Sequence, residues 1–99
     1  MASSLSMLHL MRRANALVTG TNPIASKVVY MWIAHDASPT RQKDCIHYCQ
    51  KHTIPYEIAF SKTDFRSIMQ QQDVAVIRLI NAHFLPLIYS NKEEQLDEK

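Results

Sequence analysis

Cys45, His47, Cys49 and His52, within "CIHYCQKH", carry the side chains of a zinc site. On a helix, Cys45, Cys49 and His52 share one face while His47 points elsewhere. Structural zinc usually draws ligand pairs from separate elements and closes around the ion. The spacing therefore favours buried thiols beside solvent-facing histidines, because free cysteine is among the most buried residue types. A catalytic dyad fares no better. His35 and Asp36 are adjacent and would point to opposite faces of a strand, and Cys49 with His52 matches by residue type alone. One glycine, Gly20, cannot build a phosphate-cradling loop, and the common nucleophile motifs are not met. The expectation is a chain without catalytic residues, metal or cofactor, and so not an enzyme.

Binding chemistry has better support, at two turns where a strand-like run gives way to a helix-like one. The first, "GTNPIASK", holds Gly20, Thr21, Asn22 and Lys27, and the second, "HDASPTRQK", holds His35, Asp36, Arg41 and Lys43. Turns of this kind leave helix N-terminal amides pointing outward, where the helix-end field favours phosphate. In each, a capping residue precedes a proline suited to the first helical position: Asn22 before Pro23, and Ser38 before Pro39. Taken alone, such residues are accounted for more simply by capping than by a ligand. As the sole glycine, Gly20 is where a left-handed or closely approached backbone is expected.

These turns need elements to hold them. Leu5, Leu8 and Met11 make the apolar stripe of a helix over about residues 3 to 13. "ALVTG" reads as a short strand, Asn22 opens a short helix, and "KVVYMWIA" is a second strand. A helix then runs from Ser38 through about His52, with Cys45, Ile46 and Cys49 inward. "IPYEIAF" is a third strand, and Ser61 with Asp64 forms a capping box for the helix in "SKTDFRSIMQQQ". "DVAVIRLI" reads as a central strand, and "NAHFLPLIYS" as a final helix capped by Asn81 and distorted by Pro86. This alternation predicts an α/β sandwich around a small mixed sheet. Trp32, Phe65 and Phe84 fit the core by context, and become anchors for a protein partner if exposed.

The chain has 99 residues, enough for one domain, read as residues 1–90, with an acidic and disordered tail at 91–99. Its 46% apolar and 20% charged residues suit a soluble globular protein, and no apolar run approaches a membrane span. Outside the tail, nine basic residues face five acidic ones, which permits a polyanionic partner. Two cysteines without a secretory signal suggest reduced thiols and a cytoplasmic setting. The opening "MASSLSMLHLMRRAN" has the Ser and Arg content of a mitochondrial presequence, but fits a first structural helix, the reading adopted here.

The ordered series "LHLMRRANALVTGTN", "IAHDASPTRQK", "CIHYCQKHTIPY" and "VAVIRLINAHF" resembles the kink-turn RNA-binding family that includes the ribosomal proteins L-seven-Ae and L-thirty-e. The small bacterial members are most alike, and the likeness runs over about residues 5 to 90. It implies a three-layer α-β-α sandwich with a roughly four-stranded mixed sheet. It also implies binding of sharply bent RNA at sheared G·A pairs, in a ribosome or ribonucleoprotein. The family's glycine-x-asparagine-glutamate-x-x-lysine segment is met by Gly20 and Asn22, with Lys27 one place late. Ala34 and Asp36 match a strand-end alanine and aspartate, so the loop at His35 borders the RNA face in relatives. Cys49 stands where relatives keep a buried cysteine.

The departures are specific. Pro23 replaces the acidic residue after the asparagine, and the interval from Gly20 to Asp36 is about five residues short, which truncates the second helix. In "FRSIMQ", Arg66 and Gln70 occupy positions where the family pattern expects glycines, in a loop that approaches RNA in relatives. The resemblance thus implies structured RNA, held through Gly20, Thr21, Asn22, Lys27, His35, Asp36, Arg41 and Lys43. The departures also suit a diverged module of the same fold, given over to a protein partner or to self-association.

Overall fold

Each long helix begins at a serine hydroxyl that accepts a backbone amide left over by the first turn. Ser4 Oγ accepts from the Met7 amide at 3.2 Å and opens α1 (Leu5–Arg13). Ser38 Oγ accepts from the Arg41 amide at 3.1 Å and opens α2 (Pro39–Lys51), with Pro39 where no amide is needed. Ser61 opens α3 (Lys62–Met69) in the expected reciprocal box: Ser61 Oγ accepts from the Asp64 amide and Asp64 Oδ2 from the Ser61 amide, both at 3.1 Å. The computed structural model from which these contacts are taken describes residues 3–19 and 28–89.

Two helices end in full Schellman motifs, neither of which uses glycine. After α1, the Asn15 amide donates to the Arg12 carbonyl and the Ala16 amide to the Met11 carbonyl, both at 3.0 Å. After α2, the Thr53 amide donates to Gln50 at 3.4 Å and the Ile54 amide to Cys49 at 2.8 Å. The left-handed residues at these ends are Asn15 (φ 57°) and Thr53 (φ 56°). Phe60, Gln70 and Asp73 are left-handed as well. Among the described residues five non-glycine positions thus adopt the left-handed region, while Gly20, where a left-handed or closely approached backbone is expected, lies outside the described residues.

Four strands form one mixed sheet in the order β1 (Leu17–Thr19), β4 (Val76–Leu79), β2 (Tyr30–Ile33), β3 (Tyr56–Ile58). β4 runs antiparallel to both neighbours, with Leu17 opposite Leu79 and Trp32 opposite Ile77, whereas β2 and β3 are parallel, with Met31 opposite Tyr56. Alternate side chains enter two separate cores. Trp32, Ile77 and Leu79 pack with Leu8 and Met11 of α1 and Phe65 of α3, while Met31, Ile33 and Val76 pack with Cys45 and Cys49 of α2. The result is the expected three-layer α-β-α sandwich.

Trp32 and Phe65 are wholly buried, and Phe84 is half-buried against the same core. All three are packing residues, as their contexts predicted. Trp32 also ties distant pieces together: its indole Nε1 donates to Ser3 Oγ at 2.8 Å and to Glu57 Oε1 at 2.9 Å. The N-terminal segment and the edge strand β3 thus meet on a buried ring.

The last helix starts as a 3-10 turn (Ala82–Phe84), with Asn81 Oδ1 accepting from the His83 amide at 2.9 Å, and continues helically over residues 85–89. Pro86 stands beside this change of pitch, in keeping with the distortion expected of it. The short helix expected from Asn22 and the acidic tail fall outside the described residues.

Candidate nucleic-acid interface

The strand directions bring β1, β2 and β3 to an end where β4 begins, so Thr19, the loops after Ile33 and Ile58 and the loop before Val76 share one edge of the sandwich. Short backbone bonds lock three of them. The Ala34 amide donates to the Ala75 carbonyl at 2.9 Å, the His35 amide to Phe60 at 2.9 Å, and the Ala59 amide to Ile33 at 3.0 Å. Phe60 is held left-handed at φ 67°, its ring edge-on to Phe65 at 6.4 Å. A bulky residue in that region is rare and persists only where its surroundings enforce it.

Gln42, one turn into α2, reaches back to the same loop. Its Nε2 lies 3.3 Å from the Ala34 carbonyl, 3.0 Å from that of His35 and 3.2 Å from that of Ala37. One amide group, with its two N–H donors, thereby serves three carbonyls, of which that of Ala34 also accepts from the Ala37 amide at 3.1 Å. The loop is a preformed platform on which His35 and Asp36 are exposed.

Asp36 has a structural task at this position. Its Oδ1 accepts from the Lys62 amide at 2.9 Å, placing a carboxylate at the N-terminal end of α3 where the helix field favours it. At α2, Pro39 has no amide to offer and the Arg41 amide is already bound to Ser38 Oγ, so capping has claimed much of that anion-binding capacity. The side chain of Arg41 is what remains for a ligand.

Arg41 and Lys43 part company. Arg41 lines a cavity of about 440 Å³ together with Thr19, the last residue of β1, and the segment from Gln71 to Val76. Lys43 lies on another flank of α2, beside Ile46 and His47. Thr19 is fixed in this cavity by its hydroxyl, which donates to Gln71 Oε1 at 3.1 Å. From below, Arg78 Nη2 donates to the Thr19 carbonyl at 3.4 Å. Arg78 is only 2% exposed on the central strand, and burial pushes its guanidinium down from its ordinary value while Tyr48 and Cys45 oppose the shift.

Of the eight residues singled out by sequence, Arg41, His35 and Asp36 stand at this edge of the sandwich, while Lys43 is turned aside. Gly20, Thr21, Asn22 and Lys27 lie outside the described residues, and Gly20 directly follows Thr19 in the chain. Sequence reasoning missed Gln42, Gln71 and Arg78. The Thr19–Gln71 bond spans 52 positions and leaves no local pattern. Arg78 interrupts an otherwise apolar strand, and that interruption was its available signal.

Cys45 and Cys49 are buried free thiols. Burial pushes Cys49 up to about 11, assisted by Cys45, and raises Cys45 as well. Among the described residues no group of three or more His, Cys, Asp or Glu is placed to hold a metal. No helix among them is long and apolar enough to cross a membrane.

No protein-family model and no curated protein sequence matches the chain. Solved structures do. A protein of unknown function from Bacillus halodurans superposes with a TM-score of 0.77 at 22% identity, covering 92% of this chain and 97% of the other. The 15.5kD RNA binding protein of Giardia lamblia superposes with a TM-score of 0.72 at 16% identity, covering 91% and 82% respectively. At such identities the shared property is the fold.

Proposed function

We propose that the protein is a non-catalytic binder of sharply bent, kink-turn-like RNA, working in a ribosome or ribonucleoprotein in the cytoplasm. The observation that carries this reading is the meeting of Thr19 and Arg41 in one cavity lined by Gln71 and Gln72. A cation and several amide donors stand there, next to the start of the segment Gly20–Lys27. The fold shared with the Giardia RNA binding protein gives the reading its second support.

Each residue has a role set by its chemistry. Arg41 and Lys27 meet phosphates, which positions the RNA without reading it. Asn22 reads a base edge, because its amide both donates and accepts. Gly20 and Thr21 bring the backbone close, His35 borders the bound strand, and Asp36 holds the platform through the Lys62 amide. Lys43, on the outer flank of α2, meets flanking phosphates. The alternative, a module for a protein partner or self-association, loses its aromatic anchors, since Trp32 and Phe65 are buried.

Three variants test the assignment. Lys27→Ala and Arg41→Ala should each weaken binding to every RNA and lower the salt slope by about 1. Asn22→Ala should remove the preference for bent RNA while leaving the salt slope intact. Wild-type affinity, slope and preference in all three would remove this site.

A further inference from the structure

A second basic surface lies between α1 and α3, away from Arg41. His9, Arg12 and Arg13 of α1 line a cavity of about 380 Å³ with Asn15, Ser67 and Gln70. Arg66, on α3, lines its neighbour, a cavity of about 400 Å³ that also holds Thr63, Ser67 and Gln70. Among the described residues no acidic one lines either cavity. Apart from Ile68, the lining side chains carry guanidinium, imidazole, amide and hydroxyl groups, the donor set that proteins turn toward phosphate and sugar oxygens.

The cavities are stages of one trough. Ser67 and Gln70 line both the first and the second, while Gln71 and Gln72 line the second and the cavity that holds Thr19 and Arg41. Two basic residues at the C-terminal end of α1 would by themselves be explained by that helix's dipole. Arg66 stands likewise in the last turn of α3, so the helix fields suit all three cations, but they give no reason for the run of glutamines leading to the interface. Arg12 adds an independent sign: its Nε is shielded from solvent and has no hydrogen-bond partner among the described residues. Such a donor favours an oxygen acceptor arriving from outside.

We infer that His9, Arg12 and Arg13 of α1 with Arg66 of α3 form a second contact for the RNA backbone, taking phosphates of the duplex that flanks the bend. The inference rests on the RNA-binding reading and extends its footprint along the trough from Arg41. This contact is indifferent to sequence. It adds affinity in proportion to stem length and makes that affinity steeply dependent on salt.

The test uses the full chain and kinked RNAs of two lengths, one with minimal stems and one with each stem extended in turn by a helical turn. The wild-type protein should bind one of the extended RNAs with a salt slope steeper by about 2 to 3 than the minimal RNA. Arg13→Gln with Arg66→Gln, both at exposed positions, should lose most of that increment and keep minimal-RNA binding unchanged. Adding Arg12→Gln should remove the rest, with thermal melting as the check on folding. Equal wild-type slopes on all lengths, or an unaltered slope in the double variant, would overturn the second contact while leaving the kink site standing. Failure of the wild type to prefer bent RNA over a straight duplex would overturn both.

Discussion

Thr53 sits at the residue following the C-cap of α2, exposed and left-handed at φ 56°, in a motif that elsewhere uses glycine. For an L-residue this conformation costs roughly 1–2 kcal/mol, and a β-branched side chain belongs at the upper end. Thr53→Gly removes that strain and returns about 0.5–1 kcal/mol through the greater freedom of the unfolded chain. The net expectation is a gain of about 1 kcal/mol, or about 4–8 °C in melting temperature for a domain of this size. Asn15 is the internal control. It completes the same motif after α1 at φ 57°, but asparagine tolerates the left-handed region, so Asn15→Gly should change stability by less than about 0.5 kcal/mol. Urea denaturation of both variants decides, read as midpoint shifts at constant m. A loss of stability in Thr53→Gly, or an equal gain in both, would refute the strain argument.

Other consequences follow from the packing. Gln42→Glu would set a carboxylate against the carbonyls of Ala34, His35 and Ala37, and should destabilise by about 2–3 kcal/mol at neutral pH. Because the fold would raise that carboxyl's pKa, stability should recover as pH falls from that raised pKa toward the ordinary glutamate value, and a flat pH profile would contradict the staple. Trp32→Phe should cost about 2–4 kcal/mol through lost volume and the lost indole donor to Ser3 and Glu57, measured by urea denaturation. Cys49 is held protonated up to about 11 from an ordinary value of 9.0. The unfolded chain releases that proton first, so the contribution is intact below about pH 9 and fades as pH rises toward 11. A thiol reagent should modify Cys49 only on unfolding, and rapid modification of the native protein would contradict its burial.

The features legible in the sequence are those written in neighbouring residues. Ser38 before Pro39, and Ser61 with Asp64, declare helix starts because the donor and acceptor lie within three positions. Cys45 and Cys49 declare an inward face through the helical period, and the structure buries both. What was hidden depends on chain returning from afar. Nothing near Gln42 announces that it will clasp the loop before its own helix, and nothing near Thr19 announces Gln71. The left-handed positions were hidden for a different reason. Phe60, Gln70 and Thr53 adopt a backbone their residue types disfavour, so propensity points away from them and tertiary contacts decide. Gln70 is instructive: it ends α3 left-handed at φ 55°, the conformation a glycine would favour.

The central claim is recognition of bent RNA, and a single titration addresses it. Labelled kink-turn RNA would be compared with a control whose sheared G·A pairs are replaced, at one stated near-physiological salt concentration. Preference for the kinked RNA by a factor of about ten or more, about 1.4 kcal/mol, is the expected result. Equal, weak binding to both RNAs would contradict the claim and turn attention to the same sandwich as a surface for another protein.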